Sequence, residues 1–120
     1  MTRINAGISP SSLTGKHLIA EHREIKRIPN VIKKGKYNLS NIPDKFCLGT
    51  GHVKFFYTRL LYLYNRYKEL YNECIKRGYN VADYSEAWNG LENTDLWNDW
   101  EPTREDAEIV QARINEKLNK

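Results

Sequence analysis

Residues 16–28 place three cations and one carboxylate on a short helical stretch. At about 100° per residue, Lys16, Arg23 and Arg27 fall on one side, spaced seven and four apart. Leu18, Ile25 and Ile28 fall on another side and form an apolar stripe. Glu24 projects between the two faces, roughly aligned with His17, and Arg27 follows three residues later, within side-chain reach. Clustered cations can hold phosphate. A carboxylate inside such a surface weakens anion binding, so its presence calls for a chemical reason. The plainer reading is a solvated helix face with one ion pair.

The wider charge pattern favours a phosphate-bearing partner. Residues 1–60 hold 11 Lys and Arg against 3 Asp and Glu, a balance of +8. Residues 61–120 hold 8 against 12, a balance of −4. The net charge is +4, the sequence pI about 9.1 and the mean hydropathy −0.73. Solubility alone is the plainer account of such charge. No apolar run approaches the roughly 20 residues of a spanning helix, and no apolar stretch follows Met1-Thr2-Arg3 as in a signal peptide. Cys47 and Cys74 form no short pair and have no histidine at zinc spacing, so reduced thiols of an intracellular protein are expected.

Three helical stretches must position these groups. The first begins near Ser9-Pro10, reads well from Lys16 to Arg27 and is stopped by Pro29. The second carries Val53, Phe56, Tyr57, Leu60, Tyr64, Tyr67, Tyr71 and Cys74 at steps of three and four, between Gly49-Thr50-Gly51 and Gly78. The third opens with Thr103 and Asp106, close to a capping box, and buries Ala107, Val110, Ile114 and Leu118. A basic loop, Lys33 to Lys45, joins the first two. An acidic, aromatic loop with Tyr84, Trp88, Trp97 and Trp100 joins the last two. With no alternating strand pattern, the chain reads as one all-α domain over residues 1–120.

Several co-linear segments match one known family. Met-Thr-Arg-Ile-Asn at the start, HLIAEHREIKR (17–27), LGTGHVKFFY (48–57), KRGYN (76–80) and QARINEK (111–117) together resemble the pyrimidine-dimer DNA glycosylase/AP-lyase family of the phage endonuclease V type. The resemblance implies a compact single-domain bundle of three helices and a chemistry without metal or cofactor. It implies that the nucleophile is the α-amino group exposed when the initiator Met is removed, here that of Thr2. The family's catalytic glutamate falls on Glu24. Its DNA-contacting arginines fall on Arg3, Arg23 and Arg27, and further basic contacts on Arg113 and Lys117, with Lys16 and His17 beside them. The partner implied is damaged double-stranded DNA, bound by a monomer in the cytoplasm of a bacterial or phage-infected cell. UV-induced cyclobutane dimers are the leading substrate.

The chemistry suits an amino terminus. An α-amino group has a pKa near 7.7–8.0 against about 10.4 for lysine, so roughly a tenth is neutral at pH 7, against fewer than about one lysine in a thousand. The target must leave the base stack to be reached. Where the family continues into a Trp- and Tyr-rich tail, this chain ends at Lys117-Leu118-Asn119-Lys120. Another damaged or modified base is therefore the alternative substrate, and a non-catalytic DNA-binding module the alternative class. The loop tryptophans serve as stacking surfaces or as core caps. His52 serves a phosphate or a turn. His17 orients Glu24 or bonds to backbone. If Met1 stays attached, Thr2 has no free amine.

Overall fold

The computed structural model describes residues 2–118, and among them there are helices and no strands. Five α-helices replace the three expected: α1 (Gly15–Glu24), α2 (Arg27–Lys33), α3 (His52–Phe55), α4 (Leu60–Lys76) and α5 (Arg104–Leu118). Short 3-10 turns lie at Pro10–Ser12, Phe56–Thr58, Ser85–Trp88 and Leu91–Asn93.

The first expected helix is broken, and Pro29 is the cause by a route other than termination. Pro29 has no N–H to give the carbonyl of Ile25, and its ring crowds that carbonyl. The ladder fails at Ile25 and Lys26, where Ile28 N reaches Ile25 O only at 3.4 Å, and it restarts at Asn30 N to Lys26 O. Pro29 then sits in the first turn of α2, where a missing donor costs nothing. Arg27 consequently opens α2 instead of closing α1.

The second expected helix is broken by tertiary contacts. Arg59 adopts a non-helical backbone (φ −134°, ψ 46°) and donates from Nη1 to Phe55 O at 2.8 Å. The acidic loop then caps α4: Leu60 N donates to Leu96 O at 3.0 Å, and Asn98 Nδ2 to Thr58 O at 3.0 Å. A period-3.6 pattern cannot report a cap supplied 36 residues downstream. The third helix begins as expected, with Thr103 and Asp106 exchanging backbone and side-chain bonds at 2.9 and 3.1 Å.

The core forms between α1, α2, α4 and α5, with Leu18, Ile25, Ile28, Leu60, Leu63, Leu70 and Val110 fully buried. Trp88 is buried and Trp100 packs 5.0 Å from the rings of Phe55 and Tyr62, so these aromatics cap the core. The N-terminal segment runs through the same core: Ile4 and Ala6 are fully buried. It turns away at Gly7, whose φ of +79° favours glycine and whose missing Cβ would lie 2.8 Å from Ala107 Cβ on α5. The fold therefore pins the first residues of the chain against α1, α3 and α5.

Candidate DNA-repair active site

Thr14 caps α1, its side chain accepting from His17 N at 3.3 Å. The helix then projects His17, Glu21 and Glu24 along one face at i, i+4 and i+7. These residues line a cleft of about 460 Å³ with Arg3, Lys16, Arg113 and Lys117. A second cavity of about 280 Å³ adjoins it, shares Arg3 and Arg113, and is lined by Thr2 and His52. The N-terminus, α1 and α5 thus bring Arg3, Lys16, His17, Glu24, Arg113 and Lys117 to one cleft, with Thr2 half-buried beside it. Arg23 and Arg27 are exposed and lie outside the lining of both cavities. Met1 lies outside the described residues.

Glu24 keeps only 15% of its side chain exposed. Its ion-pair partner is Arg23, at 3.5 Å, rather than the expected Arg27. Arg23 is itself 55% exposed, and an ion pair this loose and solvated contributes little. Glu24 is therefore free to serve a ligand. His17 makes no bond to Glu24; its Nδ1 is buried without a partner in the cleft wall. Burial first, then Lys16, Arg113 and Arg3, hold its pKa below the ordinary value, so each of them disfavours the charged ring.

The second acid on this face escapes a reading based on surface charge. Glu21 is 1% exposed and sits three residues after Leu18 and four before Ile25, inside the apolar stripe. Arg66 occupies the equivalent place on α4, between Leu63 and Leu70, and is also buried. An acid in one core stripe and a base in another is the sequence signal for a buried pair. They meet in a fork: Arg66 Nε donates to Glu21 Oε2 at 2.8 Å and Nη2 to Oε1 at 3.0 Å. Burial works against the Arg66 charge, and the Glu21 carboxylate more than restores it, so its pKa lies above the ordinary value.

This pair is the root of a chain that ends at the cleft. Asn5 Nδ2 donates to Glu21 Oε1 at 2.8 Å, and Asn5 Oδ1 accepts from Arg113 Nη2 at 3.0 Å. One asparagine thereby fixes the N-terminal segment to α1 and orients a cleft cation on α5. Removing one partner of a buried pair leaves an uncompensated charge, at a cost of about 3–5 kcal/mol. Replacement of Arg66 by Leu is expected to lower the thermal unfolding midpoint by an amount consistent with that cost. An unchanged midpoint would show that the pair does not hold the N-terminus.

His52 is structural rather than a phosphate ligand: Ile4 N donates to its Nε2 at 2.9 Å, and its Nδ1 lies 2.9 Å from Cys47 O. Among the described residues no three His, Cys, Asp or Glu side chains are grouped as a metal site would require, and no helix is long and apolar enough to cross a membrane. A cationic cleft of this kind, beside a fixed chain start, is suited to hold a phosphate backbone. Residues 1–86, which hold Thr2, Glu24 and the N-terminal and α1 cations, match the family model described as pyrimidine dimer DNA glycosylase, and the chain belongs to that family of DNA glycosylases.

Proposed function

We propose that the chain excises a base at UV-induced pyrimidine dimers and then cleaves the strand as an AP lyase, with the Thr2 α-amine as nucleophile and Glu24 as the catalytic carboxylate. The neutral amine attacks C1′, the glycosidic bond breaks and the base leaves with a proton. Opening of the sugar ring gives an imine between Thr2 and C1′. Loss of a proton from C2′ then expels the 3′ phosphate by β-elimination, and water returns the free amine. Glu24 stabilises the positive charge that develops on the sugar and carries protons. Arg3, Lys16, Arg113 and Lys117 hold phosphates in the cleft, and exposed Arg23 and Arg27 extend the contact along the backbone of the duplex. His17, neutral and unpartnered, offers a hydrogen bond to the sugar or phosphate.

The reading rests above all on Glu24: it is the carboxylate lining a cleft of four cations that no buried partner claims, whereas its neighbour Glu21 is committed to Arg66. A binding protein would gain affinity by losing it. The test is borohydride trapping on UV-irradiated, abasic and undamaged duplexes, with the Met1 status of the protein read by mass spectrometry. An adduct at Thr2 on the irradiated duplex is expected. An adduct on the abasic duplex alone would keep the lyase and reassign the base. With Met1 removed and no adduct on any duplex, the chain would be a DNA-binding module.

A further inference from the structure

The nucleophile proposed above sits on a chain terminus, and an amine there works only if the first residues are held still. Two side chains hold them. Asn5 is tied to Glu21 and Arg113. The other tie is a backbone donor: the N–H of Ile4, two residues after Thr2, points at Nε2 of His52 at 2.9 Å. His52 is 3% exposed and Ile4 fully buried, so this bond is shielded from bulk solvent.

We propose that His52 is a positioning residue for the Thr2 amine, and that a proton on its Nε2 releases the N-terminal segment and silences the site. This rests on the reading of Thr2 as nucleophile. The bonding fixes the tautomer. Because Nε2 accepts from Ile4, the ring proton is on Nδ1, where it is donated to Cys47 O at 2.9 Å. Nδ1–H survives in the imidazolium, so the Cys47 bond is kept in both protonation states. The added proton goes to Nε2, and there it meets the Ile4 N–H donor to donor. The Ile4 donor is then buried without a partner.

The surroundings of His52 are set against its charge. Burial acts first, among the edge-on rings of Phe46 and Phe56 at 5.4 and 5.5 Å. The Cys47 carbonyl acts the other way. Arg113 from α5 and Arg3 from the N-terminal segment repel a further cation, and Glu21 from α1, already held by Arg66, attracts one. The net effect is a pKa below the ordinary 6.5. A depressed value means that the folded chain binds this proton less readily than the unfolded one. The anchor is therefore intact above about pH 6.5 and is lost as pH falls through the lower folded value. It is secure where the terminal amine is becoming neutral, and it fails on the acid side.

Two protonations then govern the acid limb. The amine loses activity with one proton, so the logarithm of the trapping rate falls with slope one below about pH 8. Once His52 titrates as well, the slope becomes two. The experiment is single-turnover trapping on a preformed abasic duplex across about pH 5 to about pH 9, using Met1-free wild type and His52→Gln. Glutamine keeps an acceptor that does not titrate. In parallel, hydrogen exchange of the Ile4 amide and the ring nitrogen shifts of His52 are followed by NMR in the wild type. The expected result is an acid limb steeper by one unit of slope for the wild type than for His52→Gln, below the pH at which the NMR shifts show His52 gaining its proton. Ile4 should lose protection over the interval in which His52 gains its proton. His52→Ala, with no acceptor, should trap about ten- to hundredfold more slowly at pH 8, the scale of a misplaced reacting group, and His52→Gln should restore much of that loss. Equal slopes in the two proteins below the pH at which His52 gains its proton, or an Ile4 amide still protected beside a protonated His52, would overturn the proposal. If His52→Gln fails to fold, the wild-type exchange measurement decides alone. An adduct mapped to a lysine would overturn the Thr2 assignment, and the Ile4 exchange would still report separately whether His52 is an anchor.

Discussion

A preparation that retains Met1 is expected to form at least about a hundredfold less borohydride-stable adduct than one from which Met1 has been removed. Retention turns the Thr2 nitrogen into an amide, whose lone pair is delocalised into the carbonyl and does not attack. The chain's free amine then begins about 3.5 Å farther along, beyond the tolerance of a positioned nucleophile, for which a 1 Å error costs about a hundredfold. The segment cannot slide to compensate. Ile4 is bound to His52, Asn5 to Glu21 and Arg113, and Gly7 turns against Ala107. Nor does an ordinary lysine substitute at neutral pH, because its neutral fraction is less than about a hundredth of that of a terminal amine. The measurement is trapped adduct per unit protein on an abasic duplex, with peptide mapping of the modified residue. Undiminished trapping at Met1, or at Lys16 or Lys117 with a pH optimum moved upward, would remove Thr2 from the mechanism.

How much of this site was legible in the sequence depends on whether the signal is local. The capping box of α5 is written within a few residues and holds in the structure, as does the apolar stripe of α4 at Leu60, Tyr67 and Cys74. The expected start at Ser9-Pro10 does not hold: Pro10–Ser12 is a 3-10 turn, and Thr14 caps α1. Lys16, His17 and Glu24 line one cleft with Arg113 and Lys117, which only the family resemblance had singled out. The helix count was not legible. Pro29 acts four residues upstream of itself, and the break before α4 depends on carbonyls supplied by Leu96 and Asn98. Lys16 and Arg23 share the unbroken axis that a helical wheel assumes, whereas Arg27 belongs to the next helix. Glu21 and Arg66 were visible only as charges misplaced in apolar stripes, and their partnership, 45 residues apart, needs the fold. His52 likewise looked like the start of a turn. Its partner Ile4 lies 48 residues earlier, and no spacing rule joins a histidine to a backbone N–H at that distance.

Replacement of Glu24 by Gln is expected to abolish strand cleavage, by about a thousandfold or more, while binding to damaged duplex persists or tightens. General acid–base assistance is worth about 10²–10⁴-fold and a preorganised charge about 10²–10³-fold. Glu24 is asked to supply both. The substitution is nearly isosteric, and it breaks only the 3.5 Å contact to solvent-exposed Arg23, so stability should change little. The electrostatics of binding move the other way. Glu24 is the negative side chain that Arg3, Lys16, Arg113 and Lys117 do not lose to a buried partner, and its neutralisation strengthens the cationic cleft toward phosphate. The same change at Glu21 would behave differently, because an uncharged amide there strands the Arg66 guanidinium in the core and destabilises the fold. The two glutamates, three residues apart on one helix, thus provide an internal control. Equilibrium binding to an irradiated duplex, strand cleavage and thermal unfolding should be measured for both variants. Loss of cleavage with retained binding and stability at Glu24, against loss of stability at Glu21, assigns one to chemistry and the other to the scaffold. Cleavage undiminished in Glu24→Gln would take the carboxylate out of the mechanism and leave the cleft as a binding surface.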